Sequence, residues 1–345
     1  MGDASGPVSG VAFTQLMIDP VFQALADAAR RGESVALGVI SGAKGSSPQK
    51  VGAKALFYAD GRIQGTLGGG CLEAEIQHRA VQSLRTGQAA QFDLLLDHDF
   101  GWDDGLICGG KVGGLILPDA QRVGEEFWKA LAERKTTCTW GIKNDFSIVT
   151  LPDPGAIGAD TTRSEYAAEP SDAPATGPSD WLYQETVRSP CALWIAGAGH
   201  IAQAVAPLAS NLDFAVTVFD DRPALVNHQF FPPGVCLEAE VWEKLLARSL
   251  PDTASFGLIV TRGHRHDALV LQNWIHKPFL FLGMIGSRRK ARTIFEHFVL
   301  EKIATEEDLR RVACPVGIPI RSRSVQEIAV SIMAQFIDKR AELAA

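Results

Sequence analysis

The residues best suited to chemistry gather around glycine-rich turns. Gly197-Ala-Gly199-His200-Ile-Ala202 is a G-x-G-x-x-A turn that follows the apolar run Cys191–Ala196 and opens the helical stretch Ile201–Leu212. In such a turn the first glycine permits the tight bend and the second lets the backbone approach a pyrophosphate. The third small residue lets helix and strand pack closely, while the helix N-terminus attracts the anion. Asp220 ends the next apolar run about 20 residues on, where an acidic side chain accepts ribose hydroxyls in nucleotide-binding folds. A turn kept without its nucleotide is the plainer alternative.

Two further loops follow apolar runs in the same half. Thr261-Arg-Gly-His264-Arg-His266-Asp267 carries a His-x-His-Asp run that could hold a metal or shuttle a proton, with ligand contact by His264 favoured over metal ligation, although His266 or Asp267 could simply cap a helix. Gly283-Met-Ile-Gly286-Ser287-Arg288-Arg289-Lys290 gives Ser287 as an N-cap, followed by three cations. Cations in a first helical turn oppose the helix dipole, so either an anion sits near Arg288 or these side chains form a solvated face. Ser324-Val-Gln-Glu327 reads as a capping box.

In the N-terminal half, Gly68-Gly69-Gly70 leads into a helical pattern and makes a possible backbone anion nest. Cys71 stands at the helix start, where a thiolate would be stabilised. Cys108-Gly109-Gly110 supplies a second cysteine in a loop. Asp97, Asp99, Asp103 and Asp104 could bind a divalent cation, but a hydrated acidic loop is the simpler reading.

The elements that must hold these residues follow from periodicity. Residues 1–12 read as a flexible N-terminus. A helix is expected over Phe13–Arg31, a buried strand over Val35–Ile40, and a hairpin of Ala53–Tyr58 with Arg62–Thr66 around Gly61. Leu72, Ile76, Ala80 and Leu84 recur every fourth residue and predict a helix from Cys71. Further strands and a helix complete a separate N-terminal α+β domain over 13–151. Between 152 and 189 the composition turns to Pro, Ala, Gly, Asp, Ser and Thr, which predicts a linker, with Trp181 and Tyr183 docking locally. Over 190–341, strands at Cys191–Ala196, Ala215–Phe219, Gly257–Val260 and Phe279–Leu282 alternate with helices. That alternation predicts an α/β domain with a Rossmann-type parallel sheet and helices on both faces.

Bulk properties bound the partners. At 345 residues the chain exceeds the roughly 250–300 at which single cores stop growing, so two domains are expected. A net charge of −7 argues against nucleic acid as a partner. No apolar run approaches the roughly 18 residues of a membrane span, and no signal peptide is evident, so no membrane association and a cytoplasmic location are expected. The six cysteines include no C-x-x-C pair, so neither disulfides nor a sequence-local zinc site is expected.

Taken in order, Gly45-Ser-Ser-Pro48, Gly65-Thr-Leu-Gly-Gly-Gly-Cys-Leu-Glu73, Gly105-Leu-Ile-Cys-Gly-Gly110, the Gly197 turn, Thr261-Arg-Gly-His264, Gly283–Lys290 and Pro315-Val-Gly-Ile318 resemble the xanthine dehydrogenase accessory factor family, XdhC/CoxI, across both domains. The resemblance implies an accessory protein rather than a turnover enzyme. Such a protein binds molybdopterin-type molybdenum cofactor and helps insert it, sulfurated, into an apo molybdenum hydroxylase of the xanthine dehydrogenase type, with a sulfur-donor enzyme as a further partner. Under that reading Cys71 and Cys108 are contacts to molybdenum or sulfur, and no other metal ligand is assigned. Homo-oligomerisation stays open. The competing reading is an NAD(P)-dependent oxidoreductase, or a nucleotide-sensing module, built on the Gly197 turn, Asp220 and His264.

Overall fold

The computed structural model describes residues 19–45, 49–95, 110–151, 180–250 and 254–342. Residues 46–48, Cys108 and the acidic loop with Asp97, Asp99, Asp103 and Asp104 lie outside them, as does the expected helical segment before Asp19. The chain divides into two compact units, with the boundary between Ser189 and Pro190.

In the first unit, α1 (Pro20–Arg31) begins where the Asp19 carboxylate accepts the Val21 and Phe22 amides at 2.9 and 3.1 Å, and ends at left-handed Gly32. That is a side-chain N-cap paired with a glycine stop. Strands β1 (Val35–Lys44), β2 (Lys54–Tyr58), β3 (Ile63–Gly65), β4 (Ala90–Leu95) and β5 (Lys111–Leu117) form an antiparallel sheet in the order β3-β2-β1-β5-β4, with α2 (Gly70–Thr86) inserted before β4. Strand periodicity explains the layers. Val35, Leu37 and Val39 pack on α1 and α3 (Glu125–Glu133) around Trp128, whereas Ala36 and Ile40 meet Leu72, Ile76 and Ala80 of α2.

A second antiparallel sheet, β7-β6-β8, joins β6 (Cys138–Lys143), β7 (Ile148–Leu151) and β8 (Trp181–Val187). Here the expected linker over 152–189 needs correction. Its last part is a strand, with Tyr183 opposite Ile142 and Thr186 opposite Thr139. Tyr183 and Val187 are buried, and Glu185 forms an ion pair with Lys54 of β2. The polar segment therefore joins two strands of one sheet, and the covalent link between the units is residues 188–190.

In the second unit, β9 (Cys191–Ala196), β10 (Phe214–Asp220), β11 (Cys236–Ala239), β12 (Ser255–Ile259), β13 (Phe281–Met284) and β14 (Val312–Ala313) form an all-parallel sheet in the order β11-β10-β9-β12-β13-β14. The order grows outward from β9 in both directions, which is the doubly wound pattern with its switch point between β9 and β12. Helices α4 (His200–Asn211) and α9 (Val325–Glu342) cover one face; α5 (Trp242–Leu246), α6 (His264–Trp274), α7 (Arg288–Leu300) and α8 (Glu306–Arg310) cover the other. Alternation along β9 again divides the cores, Leu193 and Ile195 facing α4, Trp194 and Ala196 facing α6. The Rossmann-type sheet with helices on both faces and the separate N-terminal domain are therefore present as expected. Among the described residues, no helix is long and apolar enough to cross a membrane.

Candidate functional site

The carboxyl ends of β9, β10, β12 and β13 collect most of the residues singled out in the sequence. Gly197 leaves β9 at φ +113°, and a Cβ there would collide with the Val260 carbonyl beyond β12, so only glycine fits. Its N–H donates to the Phe219 carbonyl at 2.7 Å, stitching the turn to β10. Ala202 is wholly buried against the sheet, which meets the need for a small residue at the third position. Gly199 is the N-cap of α4 and Gly263 that of α6, and neither helix has a side-chain cap. Their first N–H groups are therefore available to an anion. His200 and His264 are the exposed first residues of these two helices.

Asp220 is 1% exposed and differs from an open ribose acceptor. One carboxylate oxygen accepts the Ala198 N–H at 2.7 Å and Arg222 Nη2 at 2.8 Å; the other accepts the Arg222 N–H at 3.0 Å and Arg222 Nε at 2.8 Å. Burial by itself would raise its pKa, but the Arg222 guanidinium and the Ala198 amide hold the carboxyl below its ordinary value. Next to it, Asp221 pairs with Arg262 at 2.9 Å, and Arg262 reaches His266 at 3.3 Å.

Across β12 and β13 lies a second network that the motifs do not announce. Asp267, 0% exposed in the first turn of α6, accepts the Thr261 N–H at 3.1 Å and the Thr261 hydroxyl at 2.6 Å, and pairs with Lys290 of α7. Lys290 also donates to the Ile285 carbonyl at 3.2 Å. This accounts for one of the three cations at the start of α7: Lys290 turns inward to a buried carboxylate. Arg288 and Arg289 remain exposed there, and Ser287 caps the helix by accepting the Lys290 N–H at 3.2 Å. Beside Lys290, burial pushes the Cys314 thiol up to about 11. Spacing within a motif carries no sign of a partner 23 residues away, which is why the role of Lys290 is not visible in the sequence.

In the first unit, Gly68, Gly69 and Gly70 all take positive φ, at 126°, 70° and 57°, a run that L side chains strongly disfavour. They enter α2, whose N-cap is Gly69 with no side-chain cap, and half-buried Cys71 is its second residue. Glu73 braces the loop, its carboxylate accepting the Thr66 hydroxyl and the Leu67 N–H, both at 2.9 Å. The Gly68 N–H donates to the Thr66 hydroxyl at 3.2 Å, and the run leads directly into the helix start that carries the Cys71 thiol. Among the described residues, no group of three or more His, Cys, Asp or Glu is arranged to hold a metal ion.

Strand order, glycine turn and uncapped helix starts together define a protein whose second unit is a Rossmann domain with its glycine turn at the switch point. Residues 193–336 match the XdhC Rossmann domain and residues 28–97 match the XdhC and CoxI family. The chain belongs to the XdhC/CoxI family. It is 24% identical to a probable xanthine dehydrogenase subunit from Bacillus subtilis, over 90% of this chain and 95% of that protein. It is also 24% identical to the molybdenum cofactor insertion chaperone PaoD of Escherichia coli, over 91% of this chain and 86% of that one. A crystal structure described as a xanthine dehydrogenase from Bacillus halodurans shares the fold, with a TM-score of 0.73 at 23% identity over 93% of this chain and 96% of that one.

Proposed function

We propose that this protein is an accessory factor for a xanthine dehydrogenase-type molybdenum hydroxylase, binding molybdenum cofactor as cargo and helping to deliver it in sulfurated form. The observation that carries the reading is the pairing, in one family member, of a Rossmann ligand edge with a second glycine nest that leads into a cysteine. The first suits the phosphate end of a pterin cofactor, through helix N-termini and the Gly197 turn. The second, in the other unit, offers a thiol beside a glycine turn, and soft thiolate ligands favour molybdenum and sulfur centres. Gly197, Gly199, His200, His264 and Arg288 are assigned to phosphate contact in the second unit; Gly68, Gly69, Gly70, Cys71 and Cys108 are assigned to a thiol site in the first. Asp220 holds the Gly197 turn through the Ala198 N–H, and Ser287 caps α7. The proposed partners are the apo-hydroxylase and a sulfur-donor enzyme, in the cytoplasm.

The full chain incubated with molybdenum cofactor and then desalted should retain near-stoichiometric molybdenum and pterin, and should raise the activity of an apo-hydroxylase mixed with it. Retention of neither would defeat the proposal. NAD and NADP are run in parallel, because the glycine turn alone would equally suit a nicotinamide-dependent oxidoreductase; hydride transfer from a bound nicotinamide would favour that reading instead.

A further inference from the structure

We propose that the Arg222–Asp220 pair makes the end of β10 selective for a ligand that brings a phosphate monoester, and against one that brings a free ribose diol. This selectivity concerns what this edge of the sheet recognises; where the phosphate is the pterin's, it rests on the delivery reading.

In doubly wound nucleotide sites, the end of the second strand meets the ribose: a carboxylate there reads the diol, or a nearby arginine accommodates a phosphate in its place. This chain carries both residues, and the structure shows how they are used. A carboxylate offers about four lone-pair sites. Asp220 already accepts four hydrogen bonds, one from the Ala198 amide and three from Arg222. A diol could be read only by expelling the guanidinium from a carboxylate that is 1% exposed, and hydroxyl groups are weak replacements for a charge-assisted fork.

Arg222 is differently placed. Its side chain is 31% exposed, and Asp220 takes only two of the roughly five side-chain N–H donors of a guanidinium. The remaining edge can receive a phosphate monoester without breaking the pair, and Arg262, held by Asp221 at 2.9 Å, offers a second cation from the loop after β12. Asp220 is thus a positioning residue. It fixes the Gly197 turn through Ala198 and aims Arg222, and it need not touch the ligand.

A phosphate monoester could come from the 2′-phosphate of NADP or from the single phosphate of molybdopterin, which Arg222 would then hold together with the Gly197 turn that Asp220 ties to it through Ala198. The test is a titration of the full chain with NAD, NADP and molybdopterin, repeated on Arg222→Gln and Arg222→Lys. We expect NADP to bind at least tenfold more tightly than NAD if the source is a dinucleotide. If it is the pterin, only molybdopterin binds, and Arg222→Gln weakens it at least tenfold. Arg222→Lys keeps the charge without the fork and should recover part of the loss. NAD binding as tight as NADP overturns the proposal, as does an affinity for NADP and molybdopterin that Arg222→Gln leaves unchanged, or failure of both to bind. Should Arg222→Gln fold poorly, Arg222→Lys reads the pterin arm and the wild-type comparison of NAD with NADP reads the dinucleotide arm. Molybdopterin binding that ignores Arg222 sinks this inference and leaves delivery standing; NADP selectivity without molybdopterin binding does the reverse.

Discussion

Removing the carboxylate of Glu185 should destabilise the first unit by more than any exposed ion pair could. Lys54 is 8% exposed, and its ammonium is held at 2.8 Å by each oxygen of Glu185 and at 2.8 Å by the Gly52 carbonyl. The same carboxylate accepts the Trp140 indole N–H at 3.0 Å and the Tyr183 hydroxyl at 3.1 Å. Glu185→Ala therefore strands a buried cation and two buried donors together. Breaking a buried pair from one side costs about 3–5 kcal/mol. Because the Glu185 side chain is itself 26% exposed, water can recover part of this, and we expect about 3 kcal/mol. For a unit of this size that lowers the melting temperature by roughly 6–12 °C. Urea unfolding followed by tryptophan fluorescence reports directly, since Trp140 lies in the network. Replacing both partners with apolar residues, Lys54→Met with Glu185→Leu, should restore most of the loss, because no charge is left uncompensated. A loss under about 1 kcal/mol for Glu185→Ala, or a double variant as unstable as the two single losses added, would refute this account of the network.

Other consequences are as direct. Lys290→Met leaves Asp267 buried without its cation and should cost about 3–5 kcal/mol in the second unit, whereas Arg288→Ala should change stability by less than about 0.5 kcal/mol; equal melting temperatures for the two variants would contradict the network. Gly197→Ala forces a Cβ into the Val260 carbonyl at positive φ and should both destabilise the fold by about 1–3 kcal/mol and abolish nucleotide or pterin binding; full binding by the variant would contradict the turn's role. With its pKa near 11, Cys314 should carry at pH 8 a thiolate fraction about a hundredfold below that of an ordinary thiol, so iodoacetamide labelling read by mass spectrometry should find it among the slowest cysteines. The depressed pKa of Asp220 contributes stability that is present above the carboxyl's unfolded value, about 3.9, and is lost as pH falls through the lower folded value. Asp220→Asn should therefore flatten the acid limb of the stability profile, and an unchanged limb in the variant would contradict this.

The Rossmann unit is legible in the sequence because its signals are local. A strand, a glycine turn and a helix lie consecutively over residues 191–211, and each apolar run is long enough to stand out. Strands β11 and β14 are hidden for the opposite reason: β11 is a half-buried edge strand and β14 has two residues. Strand β8 merges into the expected linker, since Trp181–Val187 is a short run beside a much longer polar one and its partner β6 lies some forty residues upstream. Position alone suggests that Asp220 faces a ribose. Only the structure shows Arg222 folded back onto it, because i and i+2 carboxylate–guanidinium forks depend on the local bend of the chain. The Lys54–Glu185 contact spans 131 residues, a distance over which sequence pattern carries no pairing information.

The position of β8 changes what cutting the chain should do. Because β7 and β8 both hydrogen-bond to β6, residues 152–179 connect neighbours within one sheet. A protease that nicks there yields two fragments on a denaturing gel. Under native conditions the fragments should migrate as one particle, the C-terminal piece anchored through β8 by six residue pairings and the Lys54–Glu185 bridge. The same topology makes this segment a natural point at which to express the protein as two separately produced chains and let them reassemble.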